Sequence, residues 1–89
     1  MKFIINLSDL LPRLAPSDYF EMAQGNTVAT YKIMLLCVAD ENGKLLSGPD
    51  ARNAIDEMCE RSMSKFSAIQ AQFIKAFTDA LVPPANGNG

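Results

Sequence analysis

Eighty-nine residues, 48% of them hydrophobic, suffice for one small domain with a real core. Eight Lys and Arg against ten Asp and Glu leave a formal net charge of -2, and the cations are scattered from Lys2 to Lys75, which disfavours a surface that tracks nucleic-acid phosphates. The longest apolar run, Ile33 to Ala39, is too short to span a bilayer, and a chain with no histidine lacks the commonest general base and metal ligand.

Phe3-Ile4-Ile5 is a short β-favouring piece or an apolar arm. Met1 to Asn6 imitates the start of a signal peptide, but Asn6, Ser8 and Asp9 interrupt it and no small-residue cleavage site follows. The reading is therefore cytosolic. Ser8 or Asp9 is placed to cap a brief helical turn through Leu10, Leu11 and Leu14, with Pro12 tolerated in its first turn. Pro16-Ser17-Asp18 opens a second short helix, with Ser17 as the expected N-cap and Asp18 and Glu21 near the positive end of the dipole. Tyr19, Phe20, Met22 and Ala23 supply its apolar content, and Gly25 stops it by taking the left-handed conformation cheaply.

Asn26 and Thr27 can cap the segment from Val28 to Ala39. Val28, Tyr31, Leu35 and Val38 fit helical spacing, as do Ala29, Ile33, Leu36 and Cys37, so the segment is apolar nearly all round. Its β-branched and aromatic residues also suit a strand, and Asn42-Gly43 is a hairpin signal that would pair Leu35–Ala39 with Lys44–Leu46. Helix is the preferred reading, because the segment is long and capped while the return strand would be very short.

Pro49 suits the first turn of the next helix, with Gly48 or Ser47 as cap. Ala51, Ala54, Ile55, Met58 and Cys59 form an apolar stripe, and Glu57 and Arg61 form an i,i+4 pair in the favourable order. Ser62 either continues that helix or caps a new one. From there to Leu81, Phe66, Ile69, Phe73, Phe77 and Ala80 share a narrow arc, with Gln70 as a polar intruder. Pro83-Pro84 ends the helix. Residues 1–82 are thus expected to form one mainly α domain of three to four helices, with room for a short N-terminal strand or a hairpin around Asn42-Gly43, and residues 83–89 a flexible tail.

Catalytic equipment is not legible. Ser, Cys and Lys have no base nearby in sequence, and Asp56, Glu57 and Glu60 read as a solvated helix face. Asp40-Glu41-Asn42-Gly43-Lys44 fails as a calcium loop, because glycine comes too early and Lys44 takes a ligand position. Cys37 and Cys59 lack metal-ligand spacing and read as two buried, reduced thiols. The expectation is a protein that is not an enzyme and needs neither cofactor nor metal.

The remaining signal is a surplus of apolar side chains. Phe66, Ile69, Phe73 and Phe77 are expected to bury against Ile55, Met58 and the Val28–Val38 segment. Tyr19, Phe20 and Met22, together with Met63, Phe66, Phe73, Ile74, Phe77 and Leu81, are the candidate partner-binding residues. A chain this small with so much apolar surface is expected to self-associate when no partner is present.

The order of elements from Val28 to Val82 resembles a known family. An apolar helix runs into Leu36-Cys37-Val38-Ala39-Asp40-Glu41-Asn42-Gly43-Lys44-Leu45-Leu46, a turn of the form Val-x-Asp-x-x-Gly-x-x-Leu. A short acidic helix follows, Pro49-Asp50 to Glu60, then Ser62 and a helix to Leu81 with a small polar tail. This looks like the C-terminal half of the tail assembly chaperones of long-tailed bacteriophages. It departs from them in front, where only residues 1–27 stand in place of a longer β-containing segment. The resemblance implies binding to the apolar helices of the tape measure protein before tail tube subunits polymerise around it, with the tube protein as a further partner. It also implies the short, non-frameshifted form of such a chaperone, working in the cytoplasm of the bacterial host and absent from the mature virion. The alternative is a small phage or bacterial protein that binds and inhibits a host protein.

Overall fold

A computed structural model describes residues 1–81, so Val82, the stop at Pro83-Pro84 and the tail 83–89 lie outside the described residues. The apolar segment that begins after Asn26 is a helix, Thr27–Cys37, and it contacts the three other long helices. In chain order the elements are β1 (Lys2–Phe3), α1 (Leu7–Leu10) with a 3-10 turn over Leu11–Arg13, α2 (Pro16–Ala23), α3 (Thr27–Cys37), β2 (Val38–Ala39), α4 (Gly48–Met58) and α5 (Met63–Leu81). The protein is therefore mainly helical, with a two-stranded antiparallel sheet that pairs Lys2 with Ala39 and Phe3 with Val38.

Helix α3 is central because it is apolar on nearly every side, and such a helix is stable only when covered all round. Ile33, Met34 and Cys37 are fully buried, and Tyr31, Leu35 and Leu36 are half-buried. Thr30 is the one buried polar residue among those described, and its hydroxyl donates to the Asn26 carbonyl at 2.8 Å. Helix and strand compete in sequence between Val28 and Ala39, and the fold uses both. The helix runs to Cys37, then the backbone extends for Val38 and Ala39. The hairpin signal is also honoured in miniature: Ala39 bridges Leu45, and the Leu46 N–H donates to the Val38 carbonyl at 2.9 Å. The Asp40 carboxylate closes this turn by accepting from the N–H groups of Asn42 and Lys44 at 2.8 and 3.0 Å.

Several helix starts differ from their expected caps. Asn6, not Ser8 or Asp9, caps α1, its side chain accepting from the Ser8 N–H at 3.1 Å. Helix α2 begins at Pro16, one residue before the expected cap Ser17, because proline needs no partner for an N–H it lacks; Ala15 holds the cap position without a side-chain bond. Ser47 precedes α4, again without a side-chain bond. Ser62 does not continue α4. Its hydroxyl accepts from the Lys65 N–H at 3.4 Å and its carbonyl from the Phe66 N–H at 2.8 Å, opening α5.

The joint between α2 and α3 is economical. Gly25, at φ 91°, donates to the Met22 carbonyl at 2.9 Å, and Asn26 donates to the Glu21 carbonyl at 2.9 Å. These two bonds form the Schellman closure of a helix C-terminus. The Asn26 side chain then accepts from the Ala29 N–H at 2.9 Å, so the residue that finishes one helix starts the next.

Helix α5 lies across the others along one face. Phe66 meets Tyr31 of α3 with ring centroids 6.0 Å apart, Phe73 meets Phe3 of β1 at 5.1 Å, and Phe77 meets Tyr19 of α2 at 6.2 Å. Each phenylalanine thus ties a different element to the last helix. Phe66, Phe73 and Phe77 are buried with Ile55, as expected, while Ile69 and Met58 pack against the core half-buried.

Candidate functional site

An apolar concavity lies where the start of α3, the end of α4 and the start of α5 converge. It has a volume of about 490 Å3 and is lined by Thr27, Val28 and Tyr31 from α3, by Asp56 of α4, by Cys59, Arg61 and Ser62 of the turn, and by Met63 and Phe66 of α5. Its size falls in the ordinary range for pockets that take a small ligand or a few side chains. The Tyr31 and Phe66 rings meet edge to face within it.

Val28 and Met63 set its character. They are 66% and 70% exposed, the highest values among the large hydrophobic side chains of the described residues, and they come from two different helices. Val28 lies about 160° around α3 from the buried Thr30, at 100° per residue, so it points away from the core. Met63 stands at the beginning of α5, before that helix reaches its other packing partners. A flexible thioether beside a stiff β-branched residue makes an adaptable apolar surface.

Charge enters at one end only. Arg61 and Asp56 form a 3.5 Å ion pair, and Lys65 pairs with Glu60 nearby. The expected Glu57–Arg61 pair is replaced by Asp56–Arg61, because α4 ends at Met58 and the chain turns before Arg61 can sit one helical turn above Glu57. Burial, and secondarily the Asp56 carboxylate, raises the Tyr31 phenol above its ordinary range. The Cys59 thiol donates to the Asp56 carbonyl at 3.4 Å and, like Cys37, is buried and unbridged.

The turn itself is unusual. Glu60 and Arg61 both have positive φ, 53° and 57°, a conformation that side chains with a Cβ avoid. The Glu60 N–H donates to the Glu57 carbonyl at 3.0 Å and the Arg61 N–H to the Asp56 carbonyl at 2.8 Å. This is the same closure that Gly25 makes for α2, built here without glycine.

The partner-binding residues expected from sequence do not form one surface. Met22, Phe73 and Phe77 are buried in the core, 3% exposed or less. Phe66 is buried too, but its ring helps line the groove. Met63 lies on the groove. Tyr19 and Phe20 pack ring to ring at 5.4 Å near the Phe77 end of α5, about 16 Å along the helix from Phe66. Phe20 is exposed there, while Ile74 and Leu81 are half-buried against the core. The residues expected from sequence did not include Thr27, Val28, Tyr31, Asp56, Cys59, Arg61 or Ser62. Spacing alone could not single out Val28, because α3 is apolar nearly all round and only the packing defines its inner face.

Among the described residues no group of three or more His, Cys, Asp or Glu is placed to hold a metal ion, and no helix is long and apolar enough to cross a membrane. Compared with protein-family models, with characterised proteins and with solved structures, the chain matches none.

Proposed function

We propose that this chain is a binding protein that holds an apolar helix of a partner against the groove between α3 and the α4–α5 turn. The observation that carries this reading is the placement of Val28 and Met63, two large apolar side chains outside the core on a concavity walled by Tyr31 and Phe66. An amphipathic helix offers side chains at i, i+3, i+4 and i+7 to such a groove. Asp56 and Arg61 at its edge can bond the polar flank of the incoming helix, because their mutual ion pair is solvent-exposed and weak.

Within that class of binder, the sequence resemblance supports a tail assembly chaperone of a long-tailed phage. Its client is then the tape measure protein, whose apolar helices it keeps soluble until tail tube subunits enclose them. In that role it acts in the cytoplasm of an infected bacterium and leaves before the virion is complete.

Co-expression with a fragment of a tape measure protein tests the reading. The fragment should co-purify with the chain, and Val28→Asp or Met63→Asp should reduce recovery at least about tenfold, since a charge buried against an apolar helix is heavily penalised. Phe20→Asp, at the other end of α5, should leave recovery unchanged. Equal recovery with all variants would remove the groove from the binding site.

A further inference from the structure

Helices α4 and α5 are separated by a turn, yet their apolar faces are in phase through it. At 100° per residue, Ala51, Ile55 and Cys59 of the first half and Phe66, Phe73 and Phe77 of the second fall within about 40° either side of one line, and Ala54 is the buried residue that lies off it. Independent helices joined by a loop have no reason to share a phase. The turn residues Cys59, Glu60, Arg61 and Ser62 include neither glycine nor proline, and Glu and Arg are good helix formers. Straightened, the segment from Gly48 to Leu81 is a single amphipathic helix about 50 Å long. Glu57 and Arg61 would then face each other one turn apart in the favourable order.

The bent form costs backbone strain at Glu60 and Arg61, both left-handed. Straightening relieves it but carries the face of Phe66, Phe73 and Phe77 away from Tyr31, Phe3 and Tyr19. A second copy of the chain, straightened in the same way, offers the same three partners, Tyr31, Phe3 and Tyr19, to those rings.

We propose that two copies of this chain exchange α5 by straightening at Glu60–Arg61, each receiving the other's Phe66, Phe73 and Phe77. The exchange conserves the packing of the closed fold and differs from it only at the hinge, where it removes four strained residues per pair of copies. Short hinges under strain favour this kind of exchange. It also remodels the groove, because Cys59, Arg61 and Ser62 become helical and Phe66 comes from the partner copy. The exchanged dimer is thus a form that does not take the client in the way the closed chain does. The proposal stands on the turn and the phase of the stripes, and not on the client-binding reading.

The test is light scattering after size exclusion on the full chain refolded at several hundred micromolar, followed by isotope-filtered NMR on a dimer of mixed labelled and unlabelled copies. The expected results are a dimer that reverts slowly on dilution and a Tyr31–Phe66 contact between copies. The double variant Glu60→Gly and Arg61→Gly, which permits the bent turn and weakens the straight helix, should dimerise at least about a hundredfold less well. Met63→Asp, on the groove surface, should still dimerise. A chain that is monomeric after concentrated refolding overturns the proposal. So does a dimer whose Tyr31–Phe66 contact is only within a copy, or one that survives the glycine pair and is lost with Met63→Asp.

Discussion

Phe3 meets Phe73 edge to face, with ring centroids 5.1 Å apart and planes inclined at 62°. One ring stands on the first strand and the other in the middle of the last helix, so the contact joins the first element of the described chain to the last. The main-chain bond from the Ile4 N–H to the Cys37 carbonyl, 2.8 Å, holds the same arm against the end of α3. The N-terminal residues are therefore part of the core's closure.

Phe73→Ala should accordingly cost about 3–5 kcal/mol, the range for truncating a buried aromatic residue. Phe20→Ala is the control: its ring is 62% exposed, and the change should stay within about 0.5 kcal/mol. Urea unfolding followed by circular dichroism measures both. A loss below about 1 kcal/mol for Phe73→Ala would contradict its place in the core.

The helices were legible because their signals are local. The α5 stripe, the stop at Gly25 and the apolar girth of α3 each follow from spacing within one segment. The caps were less legible, since Asn6, Ser8 and Asp9 are all good cap residues and only the path of the arm into β1 selects Asn6. The site was hardest to read. Phe66, Phe73 and Phe77 look alike in sequence, and what separates them is which element covers each ring. At the turn the sequence offered Ser62 as a cap but nothing for the left-handed backbone before it, because two helix-forming residues, Glu60 and Arg61, occupy those positions. Tertiary packing of the three phenylalanines overrides local preference there.

Asn26 serves two helices, closing α2 through its N–H and capping α3 through its side chain. Asn26→Ala keeps the first bond and loses the second, leaving the Ala29 N–H without its acceptor. The expected cost is about 1 kcal/mol, within the range for losing an N-cap. Asn26→Ser and Asn26→Asp should recover most of it. Chemical denaturation of the three variants checks the order.

Gly25 has open space where a Cβ would stand, with nothing within 4 Å, yet its φ is 91°. Gly25→Ala therefore meets no clash and is penalised only through the backbone, by about 1 kcal/mol. Gly25→Asn should cost less than Gly25→Ala, because asparagine tolerates left-handed geometry better. Thermal melts of both variants decide whether strain or packing governs the position.

Cys37 sets a pH limit on stability. Its thiol is fully buried at the end of α3, and that burial pushes its pKa from 9.0 up to about 11, with Arg13 opposing the shift slightly. The sign follows from which state releases the proton first. Below about pH 9 the thiol is protonated folded and unfolded, and it costs nothing. Between about 9 and 11 the unfolded thiol ionises while the folded one does not, so its contribution falls by about 1.4 kcal/mol per pH unit. Above about 11 both forms are thiolate and the loss levels off. Cys37→Ala removes the titration at a packing cost that does not depend on pH. The stability advantage of the parent chain over Cys37→Ala, measured by urea unfolding, should thus shrink by roughly 2 kcal/mol from pH 9 to 11. An advantage that stays constant across that window would mean that the Cys37 thiol is no less acidic in the folded chain than in the unfolded one.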